Sequence, residues 1–196
     1  MKIERLSDTF PIYLIKNFCE VENDLREKLC SVVLECKKRN HFDSEGKCYD
    51  GSFLVDKDYN NFFRNLYSNF HNLCCEMFDD YNPLPITKYI FSYSTNKDNC
   101  GQIPGRIHNH IKTSTINSVF YLNVPSTMTI EKGSISFFMN DEIFTYKPNN
   151  DDFLIFPDYL DHRINNYKDD EEWRISINME IICSESSDEL FNKVKI

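Results

Sequence analysis

Asp152-Phe153-Leu154-Ile155-Phe156-Pro157-Asp158-Tyr159-Leu160-Asp161-His162, followed twelve residues after the histidine by Arg174-Ile175-Ser176-Ile177-Asn178, carries most of the architecture of this chain. Four apolar residues running into a proline and a polar corner predict a short strand with both faces covered. The second segment alternates. Arg174, Ser176 and Asn178 share one side of an extended strand, with Ile175, Ile177 and Met179 on the other. If the polar side faces water, nothing more is needed. If it faces the interior, a guanidinium is buried, which is costly unless an anion meets it. A carboxylate ligand held in a fork by Arg174, with the Ser176 hydroxyl as a further donor, meets that condition. A structural ion pair of Arg174 with Glu180, or with an acid of the Asp169 to Glu172 run, also meets it.

Outward from this stretch lies His108-Asn109-His110. On an extended backbone both imidazoles emerge on the same side, and His162 arrives 54 residues after His108. Three imidazoles suit iron, copper, nickel and zinc alike, so His108, His110 and His162 are a candidate metal site of open identity. Asp158 and Asp161 are candidate carboxylate ligands, although Asp161, next to His162, points away on a strand. Strands are also predicted from Ile86, with Thr87, Tyr89, Phe91 and Tyr93 on one face, and over Ile116 to Val124, Gly133 to Met139 and Glu142 to Tyr146. Spacing near ten residues, with turns at Asn140-Asp141 and Pro148-Asn149-Asn150, predicts a sandwich or barrel. The polar segment Thr95 to Arg106 is a candidate lid or substrate contact.

The first 85 residues read differently. Thr9 to Ile15 predicts an edge strand, because it contains Pro11. Leu25, Leu29, Val32, Val33 and Cys36 recur at helical spacing and predict a helix over Glu20 to Arg39; Phe62, Leu66, Phe70, Leu73 and Met77 predict a second from Asp56 to about Asp80. Asn40 to Ser52 is polar and predicts a loop. Residues 1–85 thus form a strand and helical brace, 86–182 a β core and 183–196 a tail, within one domain. His41 and His71 lack a second ligand at useful spacing and are expected to be ordinary polar residues.

Of 196 residues, 41% are hydrophobic and 14% aromatic, enough for a sizeable core, and the formal net charge is −9. An acidic chain with no basic run makes nucleic acid an unlikely partner. The start of the chain lacks a signal-peptide pattern, no stretch suits a membrane, and the eight cysteines contain no C-x-x-C. Free thiols in a reducing, cytoplasmic setting are expected.

The order His-x-His, then strands, then Asp-Phe-Leu-Ile-Phe-Pro-x4-His and Arg-x-Ser resembles the iron(II)/2-oxoglutarate-dependent oxygenases, of the compact bacterial and phage type, over about residues 86 to 182. The resemblance implies a mainly β chain with N-terminal helices, a double-stranded β-helix (jelly roll, cupin-like) braced by two helices. It implies Fe(II) at the histidines and 2-oxoglutarate held by Arg174 and Ser176, with Asn178 and Tyr121 beside it. The implied activity is a dioxygenase, a hydroxylase that couples decarboxylation of 2-oxoglutarate to succinate with oxidation of a small molecule or a protein side chain. Most of that superfamily has His-x-Asp or His-x-Glu, whereas position 110 is His, either a third ligand or a substrate contact. As a ligand it would leave the metal with three neutral groups and a higher net charge. Gly105-x2-His108-x-His110 and Asp152-x4-Pro157-x4-His162-x3-Asn166 are also similar to the two cupin motifs, which implies a three-histidine metalloenzyme without 2-oxoglutarate. A jelly-roll binding domain without catalysis is the third reading.

Overall fold

A computed structural model describes residues 1–38, 47–49, 59–84, 89–95, 106–167 and 172–195, with the backbone alone at 36–38, 47–49, 89, 91, 93 and 95. Ten strands and three helices are present among these: β1 (Lys2–Arg5), β2 (Tyr13–Lys16), α1 (Asn23–Lys38), β3 (Lys47–Tyr49), α2 (Asn60–Met77), β4 (Tyr89–Thr95), β5 (Ile116–Asn123), β6 (Ile135–Met139), β7 (Glu142–Tyr146), β8 (Phe153–Pro157), β9 (Asp161–Ile164), β10 (Arg174–Ile181) and α3 (Ser187–Phe191). The strands form two antiparallel sheets. One has seven strands in the order β1-β2-β8-β5-β10-β4-β3, and the other three in the order β7-β6-β9.

The period of two in the strands sorts their residues between two cores. On β8, Phe153 and Ile155 join the cluster under the helices, whereas Leu154 and Phe156 join the cluster between the sheets. β5 divides in the same way, with Phe120 and Leu122 toward the helices and Val119 and Tyr121 inward. Leu29 and Val33 of α1 and Phe63, Leu66, Phe70 and Leu73 of α2 cover the outer face of the large sheet. Phe70 meets Phe153 edge to face, with ring centroids 5.6 Å apart. The helices are therefore the expected brace. Arg26 ties α1 to the sheet by donating to the Leu122 carbonyl and pairing with Asp151 at 2.8 Å.

Two expectations need correction. The strand near Pro11 is not at an edge, because β2 pairs with both β1 and β8; Pro11 lies two residues before it, where no ladder donor is required. The segment expected to be a loop over Asn40 to Ser52 contains β3, paired with β4 through Lys47–Tyr49. The rest of that segment, His41 included, is outside the described residues, as are 96–105 of the expected lid. Among the described residues no helix is long and apolar enough to cross a membrane.

Candidate active site

β10 runs through the middle of the large sheet, between β5 and β4. Ile175, Ile177, Met179 and Ile181 belong to the core under the helices, so Arg174, Ser176, Asn178 and Glu180 lie on the opposite, inward face. The inward alternative for the polar face is thus the one realised. Arg174 is fully buried, with 0% of its surface exposed. Its Nε donates to the Gly133 carbonyl at 2.8 Å, and its guanidinium carbon lies 5.2 Å from the centre of the Tyr121 ring. Tyr121 faces Ser176 across the strand pair. Burial pushes the Tyr121 hydroxyl up to about 12 although the Arg174 cation opposes the shift, so the phenol is neutral at ordinary pH. Asn178 carries a buried amide oxygen with no hydrogen-bond partner among the described residues.

The second feature is an imidazole cluster. His108 does not sit in a regular strand; it forms an isolated bridge with His162, exchanging backbone hydrogen bonds of 3.1 and 2.9 Å. That bridge ties the His-x-His segment to β9, and the His110 N–H continues the contact by donating to the Asp158 carbonyl at 2.8 Å. Ring centroids of His108 and His162 are 4.4 Å apart, those of His110 and His162 5.1 Å. Ligand-capable atoms of the three residues all lie within 4.8 Å of one another. His162 is buried against Phe156, 4.9 Å away, and Phe137, at 6.0 Å, whereas His108 is exposed, so the cluster has a dry floor and an open side.

In each ring Nδ1 meets an acceptor. His108 Nδ1 lies 2.8 Å from the Arg106 carbonyl oxygen, His162 Nδ1 2.9 Å from that of Leu160, and His110 Nδ1 3.1 Å from Glu180 Oε1. All three partners are acceptors, so each Nδ1 carries a hydrogen and Nε2 is the ring atom left for a metal. Three imidazoles with ligand-capable nitrogens this close together suit a divalent transition metal.

The acids sort themselves differently from expectation. Asp161 Oδ1 accepts from the Asn109 side chain at 2.8 Å, and Asp158 accepts from the Ser187 hydroxyl, its carboxyl pushed up by burial. Neither belongs to the histidine group. Glu172 accepts from the Ser126 N–H at 3.2 Å and Glu180 turns to His110, whereas Asp169, Asp170 and Glu171 of the alternative ion pair lie outside the described residues. Glu180, considered in the sequence only as a structural partner for Arg174, places its carboxylate beside His110, behind the three-histidine group. Gly133, which holds Arg174, was also missed; its φ of +81° was its only signal, and φ is not readable from sequence. His71 is 2.7 Å from the Tyr81 hydroxyl, as befits an ordinary polar residue. The side chains of Tyr89 and Tyr93 are outside the description.

No protein-family model matches this chain, and comparison with curated proteins gives no match either. Solved structures do share its fold. A prolyl 4-hydroxylase from Phytophthora capsici superposes with a TM-score of 0.67 at 10% identity, over 90% of this chain and 60% of that one. The present chain thus spans less than two thirds of that enzyme's length. A prolyl hydroxylase from Trichoplax adhaerens, in complex with a hypoxia inducible factor peptide fragment, gives 0.58 at 13% identity over 90% and 85% of the two chains. A non-heme alpha-ketoglutarate-dependent carbocyclase from nogalamycin biosynthesis gives 0.61 at 8% identity over 89% and 80%. At such identities the likeness establishes the jelly-roll fold with its helical brace.

Proposed function

We propose that this chain is a non-haem iron(II)- and 2-oxoglutarate-dependent dioxygenase, a hydroxylase whose metal is held by His108, His110 and His162. The observation that carries the reading is the inward face of β10, where a fully buried guanidinium, Arg174, shares one strand face with the acid that contacts the histidine cluster. A metal chelator with an anionic tail is the ligand that such a pairing suits, and 2-oxoglutarate has that form. Fold likeness to enzymes named as prolyl hydroxylases and as alpha-ketoglutarate-dependent adds support.

In this reading Arg174 takes the distal carboxylate in its fork, oriented by the Gly133 carbonyl behind Nε and the Tyr121 ring against its face. Ser176 adds a hydroxyl donor on the same face, and Asn178, with its buried amide oxygen, is the next inward-facing residue along the strand. The apolar floor of Phe137 and Phe156 keeps water from the cluster, while the exposed side at His108 admits substrate. Bound iron(II) would supply oxidative decarboxylation of 2-oxoglutarate to succinate and carbon dioxide, the second oxygen atom of dioxygen entering the substrate. Both a peptide side chain and a small molecule are open as substrates, since one fold relative is named with a peptide and another as a carbocyclase.

Calorimetric titration without oxygen tests the reading directly. Mn(II) and then 2-oxoglutarate should both bind, and Arg174→Lys should weaken only the second. Metal binding with no 2-oxoglutarate binding would favour the cupin-type three-histidine enzyme, and binding of neither a non-catalytic domain.

A further inference from the structure

We infer that Glu180 is a positioning residue for the metal centre: its carboxylate accepts from His110 Nδ1 and thereby replaces, from behind an imidazole, the carboxylate that a His-x-Asp motif would have placed on the metal. The inference rests on the three-histidine reading above. It does not depend on 2-oxoglutarate being the co-substrate.

The geometry is specific. Glu180 Oε1 lies 3.1 Å from His110 Nδ1, and the two side chains are only 10% and 13% exposed. Glu180 is the last inward-facing residue of β10, opposite Asn117 of β5 and Tyr89 of β4 in register, so its backbone is held on both sides by ladders. A glutamate buried to this degree in a sheet interior is uncommon unless it has a partner. His108 and His162 use neutral carbonyls for the same purpose, at 2.8 and 2.9 Å. His110 is instead backed by a carboxylate at Nδ1.

Three consequences follow from that one substitution of acceptor. The carboxylate fixes the Nδ1–H tautomer, so that Nε2 is the atom presented to the metal. It also makes the imidazole a stronger donor, because partial negative charge is drawn onto the ring. Finally, it preserves the charge of the centre. A divalent metal with two neutral histidines and one ligating carboxylate sums to +1, and a divalent metal with three neutral histidines and Glu180 at hydrogen-bond distance sums to +1 as well. The negative charge has moved outward by one imidazole ring.

The test uses the full chain and Mn(II) alone as the probe. Loss of such a partner typically weakens metal binding about 10- to 100-fold, so Glu180→Ala should fall in that range and Glu180→Gln, which keeps an acceptor oxygen without the charge, should fall short of it. Glu180→Gln is nearly isosteric and guards against failure of the Ala variant to fold. The decisive measurement is the same pair of substitutions in a His110→Ala background. A positioning role requires that Glu180→Gln then weaken Mn(II) binding clearly less than it does with His110 present, leaving only the through-space charge effect; an equal loss in both backgrounds, or no loss in either, overturns the inference. Wild-type protein that binds Mn(II) but not 2-oxoglutarate would defeat the dioxygenase reading and leave the Glu180 result standing. Wild-type protein that binds no Mn(II) would overturn both.

Discussion

Replacing Arg174 by methionine separates a ligand clamp from a structural residue, because the two roles predict opposite patterns of binding and stability. In the free protein the substitution removes the 2.8 Å bond to the Gly133 carbonyl and the guanidinium stacked 5.2 Å from the Tyr121 ring centre. The bond contributes about 1 kcal/mol net, and a desolvated cation over an aromatic face about 1–2 kcal/mol. The same substitution also removes the desolvation penalty of a fully buried cation, roughly several kcal/mol. Together with the guanidinium's other contacts, the opposing contributions are of similar size. At about 2–4 °C per kcal/mol for a domain of this size, the thermal midpoint should move by less than about 5 °C. Ligand binding has no such compensation, since stranding one member of a buried charge pair costs about 3–5 kcal/mol. At about 1.4 kcal/mol per factor of ten, 2-oxoglutarate affinity should fall by about two to three and a half orders of magnitude. Arg174→Lys keeps the charge without the planar fork and should fall between. The assays are titration of 2-oxoglutarate into Mn(II)-loaded protein and scanning calorimetry of the metal-free protein. An unchanged 2-oxoglutarate affinity together with a large drop in midpoint would make Arg174 structural and refute the reasoning.

Gly133→Ala should act on Arg174 from behind. A Cβ at a φ of +81° would stand 2.5 Å from Met128 Cγ, so the carbonyl that holds Nε must shift; a midpoint drop matching about 1–3 kcal/mol and about tenfold weaker 2-oxoglutarate binding are expected, with Mn(II) affinity intact. His110→Asp should not simply restore a His-x-Asp site, because it sets a second carboxylate beside Glu180 and removes the latter's donor. Metal-free His110→Asp protein should therefore unfold at lower temperature, by about 3–5 kcal/mol at most, and Glu180→Gln added to it should raise the midpoint; further destabilisation by the second change would count against the charge argument. Thiol labelling followed by mass spectrometry at pH 8 should modify Cys75 first among the described cysteines. Cys75 is exposed, whereas burial pushes Cys19 and Cys30 up to about 11 and holds Cys74 well above its usual range, so little of their reactive thiolate exists at pH 8.

What could be read from the sequence was what period and bulk determine. The strand bodies at 116–123, 135–139, 142–146 and 174–181 follow from alternation, and the helices from apolar recurrence at three and four residues. That His108 and His110 face one way was legible because residues two apart on extended chain share a side, whereas His162 was joined to them by the family resemblance. Edges were less legible. Lys2–Arg5 has a single apolar residue, Ile3, and Lys47–Tyr49 lies in a polar run, and both are strands because a neighbour's ladder recruits them. Glu180 lies at the far end of this scale. It stands 70 residues from His110, and its contact depends on the register of β10 with β5 and β4 combined with the corner that docks His110 onto Asp158. A slip of one residue in β10 would turn Glu180 toward the helices and bring an isoleucine or methionine to the centre. The residue type at position 110 is thus an incomplete guide to the charge of the site. A motif is written along one segment, whereas a metal feels every charge within a few ångströms, whichever strand delivers it. His in place of Asp reads as the loss of a carboxylate only until the sheet is closed and Glu180 is found behind it.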